Sequence, residues 1–92
     1  MPFLDTNAIE PYERRPGWIG RTFHSPSMTF AHWDFAAGSD IHEHQHPQEE
    51  VWHVVEGVLD VTIAGQTRRA GPGMVAIVPG DTPHSVVAVT DG

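Results

Sequence analysis

Gly38-Ser39-Asp40-Ile41-His42-Glu43-His44-Gln45-His46-Pro47-Gln48-Glu49-Glu50, with Pro79-Gly80-Asp81-Thr82-Pro83-His84 further along, is the stretch on which the reading of this chain turns. Side chains of an extended segment alternate between two faces, so His44 and His46 project together to one side. Imidazole suits zinc, copper, iron or nickel, and two such ligands at this spacing already converge. Pro47 cannot donate to a central ladder and ends the strand. A new strand over Glu49 to Val55 can return Glu50 toward the histidines, adding a hard oxygen ligand and one negative charge. His84, at the start of a last apolar run, would complete the set from a neighbouring strand. Three neutral nitrogens and one carboxylate leave a position for water or substrate, which a catalytic metal site requires and a closed structural site lacks.

The chain holds seven histidines in 92 residues, so a His-x-His pair alone is a weak signal. A second register, His42 and His44 followed by Glu49, can also be written. The register His44, His46 and Glu50 is preferred on the family resemblance described below, whose spacing of five residues after Gly38 and six before Gly57 it keeps. His42 is then read at the rim of a pocket or beside a ligand. Glu50, Trp52 and Val54 share the inward parity of their strand, and Glu49, Val51, His53 and Val55 point to the other face. There an acid and an imidazole are affordable only near solvent or at a subunit contact.

Outside this stretch the pattern is strand, turn, strand. Met28 to Ala36 alternates, with Ala31, Trp33 and Phe35 on one face and Phe30, His32 and Asp34 on the other. Val58 to Ile63 alternates as well, putting Leu59, Val61 and Ile63 on one face, and Ala64-Gly65 closes it into a turn. Gly71-Pro72-Gly73 is a breaker. Met74 to Val78 and Ser85 to Val89 read as short apolar strands with a turn over Pro79 to Pro83. No ten-residue helical stripe is present. Residues 1–17 carry three prolines and mixed charge, and are read as an N-terminal arm preceding a single β domain over 18–92. Short strands at close spacing with glycine and proline between them mean a sandwich or barrel.

The spacing Gly38-x5-His44-x-His46-x3-Glu50-x6-Gly57 resembles the first signature of the cupin superfamily, and Gly73-x5-Pro79-x-Asp81-x2-His84 resembles the second. The likeness covers about Trp18 to Val89 and identifies the chain as similar to small single-domain cupins of the cupin-2 type. It implies an all-β double-stranded β-helix, the jelly-roll barrel. It also implies one divalent transition metal ion (Fe, Mn, Ni, Cu or Zn) on His44, His46, Glu50 and His84. Asp81 stands where the second signature has glycine, and Gly80 is expected to supply the unusual backbone angles by a one-residue shift. Eight residues follow His84, where similar small cupins carry another strand. In relatives that linearise unsaturated uronic sugars that closing segment handles substrate, which weakens a transfer of their activity to this chain.

Composition narrows the function classes. Five arginines and no lysine exclude Schiff-base chemistry, and the absence of cysteine excludes thiolate catalysis and fits a reducing, cytoplasmic setting. A formal charge of -7 opposes nucleic-acid phosphates, and no apolar run approaches the roughly twenty residues that span a bilayer. The expectation is a metal-dependent enzyme acting on a small oxygen-rich substrate, of dioxygenase or isomerase/lyase type, with Glu50 doubling as a base. The alternative is a non-catalytic barrel that senses or binds a small ligand and uses the metal as an anchor. Trp52, His42, Phe35 and Trp33 are the candidate pocket residues, although aromatics on strand faces more often belong to a core. Arg21 and Arg68-Arg69 are read as offsetting nearby acids. A barrel this small with apolar outer faces is expected to pair into a homodimer.

Overall fold

In the computed structural model, which describes residues 3–92, one 3-10 turn (Thr6–Ala8) precedes nine strands. These are β1 (Tyr12–Arg15), β2 (Trp18–His24), β3 (Thr29–Phe35), β4 (Asp40–His44), β5 (Glu50–His53), β6 (Leu59–Ile63), β7 (Gln66–Ala70), β8 (Val75–Val78) and β9 (His84–Ala88). Met1 and Pro2, the first two residues of the expected arm, lie outside the described residues. All pairings are antiparallel and form sheets of order β1-β2-β3, β4-β9-β6-β7 and β5-β8. This is the all-β jelly roll that the strand pattern anticipates.

The inward faces of the sheets meet in one core. Trp18, Val54, Leu59, Val61, Ala70, Val86 and Ala88 are buried, and Trp33, Phe35, Ile41, Trp52, Ile63, Met74 and Ala76 pack against them. The anchor is Trp18, which has no exposed surface. Phe35 lies 5.3 Å from its ring, and Trp52 and Trp33 stand edge-on to it at 6.0 and 6.4 Å. Edge-to-face contacts of this kind add to the area each ring buries. Gly20 makes the arrangement possible, because a Cβ there would sit 2.5 Å from the Trp33 ring.

Turn chemistry sets the register. Ala64 and Gly65 both have positive φ, 49° and 79°, as a two-residue hairpin between right-twisted strands requires. The β6-β7 ladder is held on its outer side by Arg69, which donates through two nitrogens to Asp60 at 3.0 and 3.2 Å, and by a 2.6 Å contact between the Thr62 and Thr67 hydroxyls. The Arg69 guanidinium, through those hydrogen bonds and its charge, holds the Asp60 carboxyl below its ordinary range.

One expectation needs correction. Residues 3–17 stay at the surface but include β1, which pairs with β2 and shifts register between Glu13 and Arg15. Its alternation is hidden because three of its four residues are exposed. β7 also lacked a sequence signal, since Gln66, Thr67, Arg68 and Arg69 are all exposed and only Ala70 reaches the core. At the other end of the chain, Phe35 and Gly92 exchange two backbone hydrogen bonds of 2.8 and 3.0 Å, so Gly92 extends the β3 side of the body.

Candidate metal centre

Four side chains arrive at one point from three strand ends. His44 is the last residue of β4, Glu50 the first of β5 and His84 the first of β9, while His46 sits in the loop after β4. One ligand atom from each lies within 4.8 Å of the others. The histidine rings are 4.2 Å apart (His44 and His84), 5.0 Å (His46 and His84) and 5.6 Å (His44 and His46). His84 is buried and the other three are half-buried, so the cluster opens to solvent on one side only.

A bulge aims His44. Ile41 pairs with Val86 and His44 with His84, so β4 advances three residues where β9 advances two. The extra residue bends the strand and lets Ile41, packed on the core, and His44, in the cluster, share the inner face. Strict alternation would have put them on opposite faces. Two loops are also clamped together. The Asp81 N–H donates to the His46 carbonyl at 2.7 Å, and Gly80 lies so close to Pro47 that an added Cβ would come within 2.3 Å of its carbonyl oxygen. The unusual backbone angle belongs to Asp81 itself, at φ 55°, and the expectation that Gly80 supplies it is corrected. Aspartate tolerates the left-handed region, and glycine is needed at 80 for close approach.

Hydrogen bonds to the backbone fix the imidazole tautomers. Nδ1 of His44, His46 and His84 faces the carbonyl oxygens of His42, Gln48 and Thr82 at 2.9, 2.8 and 2.8 Å. A carbonyl only accepts, so each Nδ1 carries the hydrogen, and the neutral ring then presents a lone pair at Nε2. Two of these Nε2 atoms lie against a single oxygen of Glu50, Oε2, at 2.9 Å (His84) and 3.1 Å (His46). Lone pairs and a carboxylate at such range repel unless a positive charge lies among them. Protons on the imidazoles meet that need, and so does a metal ion. Bonds of roughly 2.0 to 2.2 Å from one centre give mutual ligand spacings compatible with the observed cluster. The donor set therefore fits a transition metal, and the backbone carbonyls supply the outer orientation that metal-bound imidazoles use.

The other candidate residues are placed differently. His42 is exposed, and its Nδ1 meets an Arg15 guanidinium nitrogen, while another Arg15 nitrogen donates to Asp40 at 3.2 Å. It stands outside the four-residue cluster, with its ring 6.0 Å from that of His44. Trp33, Phe35 and Trp52 surround Trp18 in the core. Trp52 shares the inward parity of Glu50, and its buried indole N–H has no partner atom among the described residues. Glu49, Val51, His53 and Val55 are exposed, as their parity requires. Arg21 approaches Asp34 at 3.9 Å.

Two clefts lie outside the four cluster residues, none of which lines either of them. The larger, about 650 Å³, lies between the N-terminal segment around Phe3 and Ile9 and strand β2. A second, about 530 Å³, opens beside β6, β7 and β8. Among the described residues no helix is long and apolar enough to cross a membrane.

Comparison with known proteins agrees with the geometry. Residues 31–92 match the family model described as Cupin domain. The structure of KdgF from Halomonas sp. superimposes with a TM-score of 0.91 at 26% identity, covering 99% of this chain and 84% of that one. An RmlC-like cupin from Shewanella frigidimarina gives 0.86 at 22% identity, covering 100% and 84%. Salicylate 1,2-dioxygenase from Pseudaminobacter salicylatoxidans gives 0.78 at 22% identity, and the likeness covers 89% of this chain but 26% of that enzyme. No curated protein matches the chain.

Proposed function

The chain belongs to the cupin domain family, and on that premise we propose that it is a mononuclear metalloenzyme acting on a small oxygen-rich molecule, of dioxygenase or isomerase/lyase type. The observation that carries the proposal is the half-open cluster of three oriented imidazoles and one carboxylate. His44, His46, Glu50 and His84 would hold one divalent transition metal ion, chosen among Fe, Mn, Ni, Cu and Zn. When bound, such an ion supplies a Lewis acid that polarises substrate oxygens and, for the redox metals, a site for dioxygen chemistry.

The chain's own residues have separate tasks in this reading. The three imidazoles fix the position of the centre, because each is held at Nδ1 by a backbone carbonyl and two of them also meet Glu50 through Nε2. His84 is buried and closes the inner side. Glu50 receives both imidazole contacts on Oε2, which leaves Oε1 as the atom able to take a proton from a substrate carbon or hydroxyl. The apolar core behind Trp52 excludes water from the inner side of the cluster. A cytoplasmic setting belongs to the same proposal and rests on the cysteine-free sequence. So does a homodimer, for which the exposed Val51, Val75 and Ile77 on the outer side of β5 and β8, with Val55 just beyond β5, provide an apolar contact surface.

The test is to load the purified protein with each of the five metals in turn. It is then offered a panel of enolisable, vicinally oxygenated compounds under air and under nitrogen. Turnover with one metal, lost in E50Q while metal content is retained, is the expected result. Tight binding of panel members with no conversion by any metal form would overturn the enzymatic reading in favour of a ligand-binding barrel.

A further inference from the structure

The cleft of about 530 Å³ beside β6, β7 and β8 shares no lining residue with the metal centre but adjoins it through Ile63, and its floor and walls are mostly apolar. Its floor is Val61 and Ala70, both buried, and its walls are Ile63, Met74 and Ala76, all partly buried. Ile63 is the cross-strand partner of His84, and Ala76 pairs with Trp52 two positions from Val78, the partner of Glu50. Paired side chains on one face of a sheet have Cβ atoms about 5 Å apart. The cleft walls therefore begin one side chain away from the strands that deliver His84 and Glu50. Arg68, paired with Val61, is the charged residue of the lining, and unlike Arg69 it has no carboxylate partner among the described residues.

A fully hydroxylated substrate could meet Gln66, Thr67 and Arg68 in the lining but would gain nothing from the apolar floor and walls. We infer that the substrate has two parts: a pair of adjacent oxygens for the metal and an unsubstituted alkyl or aryl arm that enters this cleft past Ile63. The inference rests on the metal reading above and adds the substrate class to it. Arg68 at the rim favours a neutral or anionic arm over a cationic one.

Straight-chain hydroxamates separate the two parts, because their chelating group is constant and only the arm varies. Acetohydroxamate, butanohydroxamate and hexanohydroxamate are titrated calorimetrically into zinc-loaded protein, with methyl NMR recorded at each end point. Burial of each methylene should tighten binding about threefold, so hexanohydroxamate should bind at least tenfold more tightly than acetohydroxamate. The methyl signals of Val61, Ile63 and Met74 should shift with the longer arms alone. A76F should remove the gain and leave acetohydroxamate unchanged; the methyl shifts decide the matter in the unsubstituted protein if that variant does not fold. Binding of acetohydroxamate with no gain along the series, or shifts confined to the cleft around Ile9 and Phe23, would overturn the inference and leave the metal reading intact. Failure of every hydroxamate to bind would overturn the metal reading itself.

Discussion

Removing the buried ligand His84 should uncouple the protein's stability from metal. His84 is 2% exposed, its Nδ1 is held by the Thr82 carbonyl and its Nε2 faces Glu50. A ligand that binds only the folded state stabilises it by RT ln(1 + [L]/Kd), about 2.7 kcal/mol at a hundredfold excess over Kd. In a domain of this size 1 kcal/mol moves the midpoint by about 4 to 8 °C, so zinc at that excess should raise the unsubstituted protein by roughly 11 to 22 °C. Loss of an outer partner of a metal ligand costs up to about a hundredfold in affinity, and loss of a ligand should cost at least as much. At the same zinc concentration H84A then sits near its own Kd and gains about 0.4 kcal/mol, or roughly 2 to 3 °C. The comparison is between shifts, each variant against its own metal-free midpoint, so the cavity left by the ring cancels. Differential scanning calorimetry at fixed free zinc reads both. An H84A shift as large as that of the unsubstituted protein would refute the placement of His84 in the centre.

Further outcomes follow from the fold. W18A should lose about 3 to 5 kcal/mol, read as a fall in the urea midpoint, because three aromatic neighbours close on that ring; a loss under 1 kcal/mol would mean that Trp18 is not the anchor. Asp60 has its folded carboxyl held below its ordinary value by the hydrogen bonds and charge of Arg69. Its contribution is thus present above the unfolded value and is lost as pH falls through the folded one. D60N should therefore show a shallower stability decline than the unsubstituted protein between about pH 5 and pH 3, and an identical acid limb would exclude the pair. I77E places a charge on the apolar outer face of β8, where Ile77 is 63% exposed. By sedimentation it should be monomeric at concentrations where the unsubstituted protein is dimeric, and an unchanged dimer would move the contact elsewhere.

Legibility in the sequence followed burial. Strands with one buried face, such as β3 and β6, announce themselves by alternation, and the parity of Glu50, Trp52 and Val54 could be read from spacing alone. The grouping of His44, His46, Glu50 and His84 was legible because turn residues fix it: Pro47 ends the segment after β4, and Gly80 with Asp81 docks the β9 turn on that loop. β1 and β7 escaped because nearly all their side chains face solvent, so nothing in their residue types marks a face. The bulge between Ile41 and His44 was also hidden. It depends on which residue of β9 each faces, and pairing across 40 residues leaves no local trace. The apolar cleft has the same character, since Ile63, Ala70 and Ala76 come together only when three strands are set side by side. The position of the left-handed residue, Asp81 and not Gly80, was missed because glycine was credited with an angle when its lack of a Cβ was the property in use.

The most direct test of a single centre is X-ray absorption on the protein loaded with one equivalent of zinc. Four nitrogen or oxygen neighbours or more at about 2.0 to 2.2 Å, with the outer-shell scattering of three imidazoles, is the expected spectrum. A fit requiring one imidazole or none would contradict the convergence of His44, His46 and His84 on one ion.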